Sequence, residues 1–211
     1  SLSRPDLHVF AFGGDGDAFS IGGNHFTHTA RKNIKMTYVV MDNFVYGLTK
    51  KQTSPTSPIG FKSKTDNWGA LDQPTNPMKL AIAAGATFVA RATHTNPKHL
   101  LEIMNVAMDH DGFGFIECLS ECTEFFKGAF DASNPRKNGS FELVPEDHDV
   151  TDEAAAYALA GEDFPGKFGI YYQAQRPTKN TLEAEVSDAA KAKFKGKKDW
   201  EVLQSTFNRM K

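Results

Sequence analysis

The chain has 211 residues, 40% of them hydrophobic, with 24 lysines and arginines against 26 aspartates and glutamates, a formal charge of -2. That length suffices for one sizeable core, and the near-balance of charge excludes a strong whole-chain field for nucleic acid or an anionic membrane. The longest apolar stretch, around Leu80 to Ala90, is too short and too interrupted to span a bilayer and is closed by Arg91.

Leu7-His8-Val9-Phe10-Ala11-Phe12 reads as a mostly apolar strand ending in glycines. The chain begins at Ser1 rather than methionine and enters this strand almost at once, so a further segment upstream is expected. After a glycine-rich loop, the segment from about Ile21 to Asn33 is predicted helical, and Met36 to Met41 repeats the strand pattern. A second cycle follows, with a helix near Met78 to Ala84 and a strand Thr87 to Ala92. Asn96 and Pro97 make a helix start, with Leu100, Leu101, Met104, Ala107 and Met108 on one face and Gly112 beyond the end. The strand Phe113 to Leu119 comes next. Past Cys122 the composition shifts to Asn, Pro, Gly and charged residues through Val150, followed by a short alanine-rich helix and a strand Phe168 to Gln173. The lysine-rich stretch Lys191 to Lys198 reads as a solvated helical tail.

This alternation predicts an α/β fold: a mostly parallel sheet with helices on both faces, in which ligands gather outside the carboxyl ends of the strands. Residues 1–178 are expected to form the binding domain and residues 179–211 the helical, lysine-rich tail. Cys118 and Cys122 are too few for a disulfide framework, and without a secretory signal a reducing cytosol is the expected compartment.

The stretch GGDGDAFSIGG, Gly13 to Gly23, combines two demands that conflict. Its glycines let backbone N–H groups close on an anion, while Asp15 and Asp17 repel one. A divalent cation between acid and phosphate removes the conflict, because magnesium takes one or two carboxylates plus substrate phosphates. Asn43 follows the next strand, 28 positions after Asp15, so two neighbouring strand ends can bring both side chains to one cation. No Gly-Lys-Ser/Thr follows for a P-loop, and the dinucleotide fingerprint lacks its third glycine. The residues therefore predict a metal-bridged diphosphate. His25 and His28 lack a third nearby ligand and read as residues that support a ligand set from behind or serve packing, rather than as zinc ligands. Cys118 reads as a buried thiol. The loop around Trp68 suits a lid, a partner surface or an ordinary surface loop.

Gly-Asp-Gly, a spacer, then an asparagine after an apolar strand resembles the thiamine diphosphate motif. The fuller text, GDGDAFSIGGNHFTHTARKN with MDNFVYGLTKKQTSPTS, resembles the beta subunit of 2-oxoacid:ferredoxin oxidoreductases, most like the 2-oxoglutarate type. Similarity is dense from Pro5 to about Ser57, thinner over GFGFIECLSEC and FGIYYQAQRPT, and fades after Thr178. The resemblance implies a thiamine diphosphate-binding fold that lacks its upstream part here. It implies that Asp15 and Asn43 bind Mg2+ through side-chain oxygens and Val45 through its backbone carbonyl, and that Gly16, Asp17, Gly47 and Leu48 contact the cofactor. It also gives Lys50 a role toward coenzyme A where chemistry alone allows a solvated loop lysine.

The same resemblance implies that Cys122 joins three upstream cysteines around a 4Fe-4S cluster. As partners it implies an alpha subunit that supplies the activating glutamate, ferredoxin as electron acceptor, and coenzyme A and a 2-oxoacid (2-oxoglutarate or pyruvate) as substrates. Two positions depart from the family pattern: Lys51 stands where glycine is common, and Glu121 where proline is common. The rival readings are a non-redox thiamine diphosphate enzyme of the 2-oxoacid decarboxylase or acetolactate synthase type, and a non-catalytic diphosphate-binding module.

Overall fold

A computed structural model describes residues 1–210. Within them the elements run β1 (Phe10–Gly14), α1 (Gly23–Arg31), β2 (Met36–Asp42), β3 (Val45–Tyr46), β4 (Gln52–Thr53), α2 (Pro77–Ala83), β5 (Phe88–Thr93), α3 (Pro97–Asp109), β6 (Phe113–Leu119), α4 (Glu153–Leu159), β7 (Gly169–Gln173), α5 (Lys179–Lys193) and α6 (Asp199–Arg209). Five strands form one sheet in the order β1-β2-β6-β5-β7, and β3 pairs with β4 in a separate hairpin. The first four are parallel; β7 runs antiparallel along the edge of β5.

Alternation along the strands divides the core in two. Val40, Val89, Phe113, Phe115 and Tyr171 face α1, α2 and α4, while their neighbours Val39, Phe88, Ala90 and Ile116 face α3. Strands buried on both sides explain why these segments read as continuous apolar runs. Each fully buried phenylalanine contributes about 1.5–3 kcal/mol. The predicted mostly parallel α/β fold with helices on both faces is what the chain adopts.

Helices α2 and α3 open identically. Asn76 Oδ1 accepts the Lys79 N–H at 3.0 Å, Asn96 Oδ1 accepts the His99 N–H at 3.3 Å, and a proline follows each asparagine. The carboxyl end of α1 is set by Asn33, which takes a left-handed φ of 49°. Its Nδ2 donates to the Arg176 carbonyl at 2.8 Å, and its Oδ1 accepts from Thr87 Oγ1 at 2.9 Å and the Phe113 N–H at 2.8 Å. Arg176 returns the tie, donating from Nη2 to the carbonyls of Ala30 and Gly85. Gly112 lies so close to this knot that a Cβ there would meet Thr87 Oγ1 at 2.3 Å.

Two expected boundaries move. The helix predicted from Ile21 to Asn33 divides into a π-helical turn, Asp17–Ile21, and α1. The Gly22 N–H reaches back to the Asp17 carbonyl at 2.8 Å, and a Cβ on Gly22 would lie 2.4 Å from that oxygen, so glycine permits the tighter path. The first strand starts at Phe10 rather than Leu7 and takes in Gly13 and Gly14, which pair with Val40 and Met41. Neither α5 nor α6 has a buried residue. Among the described residues no helix is long and apolar enough to cross a membrane.

Candidate functional site

The carboxyl ends of β1 and β2 lie side by side, which brings Asp15, Asp42 and Asn43 together. Asp15 is 2% exposed. Its Oδ2 accepts from Ser54 Oγ at 2.5 Å and Thr56 Oγ1 at 2.9 Å, and its Oδ1 faces the Asn43 N–H at 3.4 Å. Asn43 bends the chain after β2 by accepting the Val45 N–H on Oδ1 at 3.1 Å. Thus Asp15 and Asn43, two of the three residues expected at the metal, meet at adjacent strand ends, and Val45 follows in β3.

A second carboxylate stands behind the first. Asp42 is fully buried, its Oδ1 accepts from the Phe44 N–H at 3.1 Å and lies 2.8 Å from Thr56 Oγ1, and among the described residues its Oδ2 has no hydrogen-bond partner. Burial, then the nearby charges of Asp15 and Glu117, push the Asp42 carboxyl well above the usual carboxylate range. Glu117 on β6 is itself paired with Arg91 on β5, Nε to Oε2 at 2.5 Å, and Arg91 Nη1 donates to the Pro165 carbonyl.

The glycine loop is shaped by aromatic residues. Tyr46 donates its hydroxyl to the Gly16 carbonyl at 3.0 Å, and a Cβ on Gly16 would lie 2.2 Å from the Tyr46 ring. Asp17 is exposed and paired with Tyr38, whose phenol is pushed up to about 12 by burial and by the Asp17 charge. Its carboxylate therefore belongs to the β1–α1 side of the loop rather than to the Asp15–Asn43 turn. The β3–β4 hairpin carries Gly47, Leu48 and Lys50 out of the protein; Leu48 is 99% exposed, and Lys50 has no ion-pair partner among the described residues. Lys50 and Lys51 both take left-handed φ values, 72° and 73°. Cys122 is half-buried and packs with Val45, Phe61 and Phe126, whereas Cys118 lies fully buried within β6.

Two cavities of about 420 Å³ each flank the segment after β4. Tyr46, Ser54, Asp66 and Thr75 line one; Thr56, Arg91, Glu117 and Phe164 are among those lining the other. Sequence reasoning did not single out Ser54, Thr56, Asp42 or Glu117. The visible signal was the alternation of hydroxyls in Ser54-Pro55-Thr56-Ser57, directly after the hairpin that carries the expected cofactor contacts.

The donor set fits magnesium. Among the described residues no group of three or more His, Cys, Asp or Glu side chains is placed to hold a metal, so softer or carboxylate-rich sites are not what this turn offers. It offers one carboxylate oxygen free of hydroxyl donors, a carboxamide and a backbone carbonyl, all hard oxygens of the kind magnesium takes. For an iron–sulfur cluster the chain offers one suitably exposed thiol, Cys122, and a complete four-thiolate site needs others.

Residues 1–118 match the family described as thiamine pyrophosphate enzyme, C-terminal TPP binding domain, and the chain belongs to that family. Within it, the chain is a relative of the beta subunits of 2-oxoacid:ferredoxin oxidoreductases. It is 46% identical over 144 residues to 2-oxoglutarate oxidoreductase subunit KorB of Mycobacterium tuberculosis, covering 68% of this chain and 38% of that protein. It is 47% identical over 121 residues to 2-oxoglutarate synthase subunit KorB of Archaeoglobus fulgidus, covering 57% of this chain and 45% of that one. The chain therefore spans less than half the length of these curated relatives. A solved 2-oxoglutarate:ferredoxin oxidoreductase from Magnetococcus marinus, with 2-oxoglutarate, coenzyme A and succinyl-CoA bound, superposes with a TM-score of 0.87 at 38% identity over 96% of this chain and 69% of that one.

Proposed function

We propose that the chain is part of the beta subunit of a cytoplasmic 2-oxoacid:ferredoxin oxidoreductase, with 2-oxoglutarate the favoured substrate. In this reading it supplies the Mg2+- and diphosphate-binding part of the active site. The observation that carries it is the meeting of Asp15 and Asn43 at the ends of β1 and β2, inside a domain of the thiamine pyrophosphate family. The named relatives support the oxidoreductase reading and lend none to the non-redox or non-catalytic alternatives.

Thiamine diphosphate, when bound, supplies the nucleophilic carbon and electron sink that allow a 2-oxoacid to lose carbon dioxide. Asp15, Asn43 and the Val45 carbonyl hold the Mg2+ that offsets the diphosphate charge. Gly16, Asp17, Gly47 and Leu48 contact the cofactor, with Gly16 keeping side-chain atoms out of the space that Tyr46 already fills. Lys50, without an ion-pair partner among the described residues, offers a point charge to the phosphates of coenzyme A. Cys122 contributes one thiolate of a 4Fe-4S cluster. An alpha subunit completes the site, the 2-oxoacid and coenzyme A yield acyl-CoA and carbon dioxide, and two electrons pass to ferredoxin.

The test is coproduction of the full-length protein with its alpha subunit, followed by an assay of ferredoxin or viologen reduction. Reduction that requires both 2-oxoglutarate and coenzyme A is the expected result. Release of carbon dioxide with no electron acceptor reduced would move the protein to the non-redox class.

A further inference from the structure

We propose that Ser54 and Thr56 are positioning residues for the cation. Their hydroxyls hold one oxygen of Asp15 and so dedicate the other to the metal as a single-oxygen ligand. The inference rests on the Asp15–Asn43 metal site proposed above and adds residues outside the ligand set.

The hydrogen bonds on Asp15 are one-sided. Oδ2 stands 2.5 Å from Ser54 Oγ and 2.9 Å from Thr56 Oγ1, while Oδ1 has the long 3.4 Å contact to the Asn43 N–H. A carboxylate with one oxygen engaged by two hydroxyls cannot rotate both oxygens onto a cation without breaking those bonds. The two hydroxyls are themselves fixed. The Ser54 N–H donates to Ser57 Oγ at 2.9 Å, Ser57 Oγ donates to the Phe44 carbonyl at 2.6 Å, and Thr56 Oγ1 lies 2.8 Å from Asp42 Oδ1. Ser54, Thr56 and Ser57 are all buried. A buried, interlinked polar network of this kind is rigid, and its rigidity passes to Asp15.

The selectivity consequence follows from cation chemistry. Mg2+ demands near-octahedral geometry at short range and suits a monodentate carboxylate, whereas Ca2+ accepts bidentate carboxylates and more ligands. Releasing Oδ2 therefore weakens Mg2+ more than Ca2+. Outer partners of metal ligands typically carry 10–100-fold in affinity, which sets the expected scale at roughly that range.

The experiment uses the assembled alpha–beta complex and measures Mg2+, Mn2+ and Ca2+ affinity by calorimetry in the presence of thiamine diphosphate. Thr56→Val and Ser54→Ala are compared with Thr56→Ser, wild type and Asp15→Ala, and circular dichroism melting reports on folding. The expected result is roughly 10–100-fold weaker Mg2+ binding in Thr56→Val and Ser54→Ala, a smaller loss for Ca2+, and near-wild-type behaviour in Thr56→Ser. Equal losses for all three cations, or unchanged Mg2+ affinity in both variants, would overturn the positioning role while leaving the metal site standing. Wild-type binding that is indifferent to Asp15→Ala would instead remove the metal site, and the positioning role with it.

Discussion

Cys122 faces the backbone of Gly47 so closely that a Cβ on residue 47 would lie 3.4 Å from its sulfur. Gly47 begins the hairpin turn that follows Asn43 and Val45, so the thiol sits beside the loop that carries the expected cofactor contacts. Under the proposed assignment, Cys122 would put a cluster ligand beside the cofactor on this side of the sheet. In the intact complex, Cys122→Ser should lose the cluster, read by electron paramagnetic resonance and iron content, with cofactor binding retained. Cys118→Ser should leave the cluster in place, because burial and the neighbouring Glu117 charge push that thiol up to about 12 and it has no exposed surface. A full cluster signal without Cys122 would disprove the assignment.

Replacing Asp15 removes the carboxylate proposed to ligate the cation while leaving β1 and its pairing with β2 untouched. Asp15→Ala and Asp15→Asn should both purify folded and both lose Mg2+-dependent retention of thiamine diphosphate. Cofactor occupancy on the purified complex, by fluorescence after oxidation to thiochrome, is the measurement. Wild-type occupancy in either variant would count against the site.

Lys50 and Lys51 separate two roles in one turn. Lys50→Ala should raise the KM for coenzyme A several-fold more than that for the 2-oxoacid, since its ammonium stands free in the exposed hairpin. Lys51 has a φ of 73° and places its ammonium 5.4 Å from the Phe61 ring centroid. Left-handed backbone costs a non-glycine residue about 1–2 kcal/mol, and the exposed cation–π contact returns about half of that at most. Lys51→Gly should therefore raise the urea midpoint, and a lowered midpoint would show that the side chain outweighs the backbone.

His110 makes stability depend on acid. Its Nε2 lies 2.8 Å from Thr87 Oγ1, its Nδ1 is buried with no partner among the described residues, and burial holds its pKa below the ordinary 6.5. Burial also lowers the pKa of His8 and His99. The unfolded chain then binds protons that the folded chain refuses, so stability is full above the unfolded pKa and falls as pH drops through it toward the folded value. Urea unfolding between about pH 7.5 and 5.5 should show this loss. His110→Gln, which keeps a donor near the position of Nε2, should flatten the profile.

The strands were legible because both faces are buried, and the alternation of Val39 with Val40 or Phe115 with Ile116 leaves a continuous apolar run. The helix starts at Asn76 and Asn96 were legible from local chemistry alone. The π-helical turn was not, since it depends on the contact of Gly22 with the Asp17 carbonyl rather than on periodicity. The meeting of Asp15 with Asn43 was legible because adjacent strand ends can be counted from the sequence. Asp42, Ser54 and Thr56 were hidden because their meaning lies in a network closed between residues 14 to 41 positions apart. Asp17 and Lys50 read like site residues, yet Asp17 turns to Tyr38 and Lys50 to solvent; both assignments now rest on cofactor and coenzyme A binding measurements.

The bond from Asn33 to the Arg176 carbonyl joins residues 143 positions apart. During synthesis the carboxyl end of α1 leaves the ribosome long before its partner exists, and contacts of such separation form late and slowly. Until the stretch after β7 docks, Asn33 has no acceptor for its amide hydrogens and the Ala30 carbonyl no guanidinium. The opening strand and helix are thus made first but locked last, when the residues after β7 reach the carboxyl end of α1.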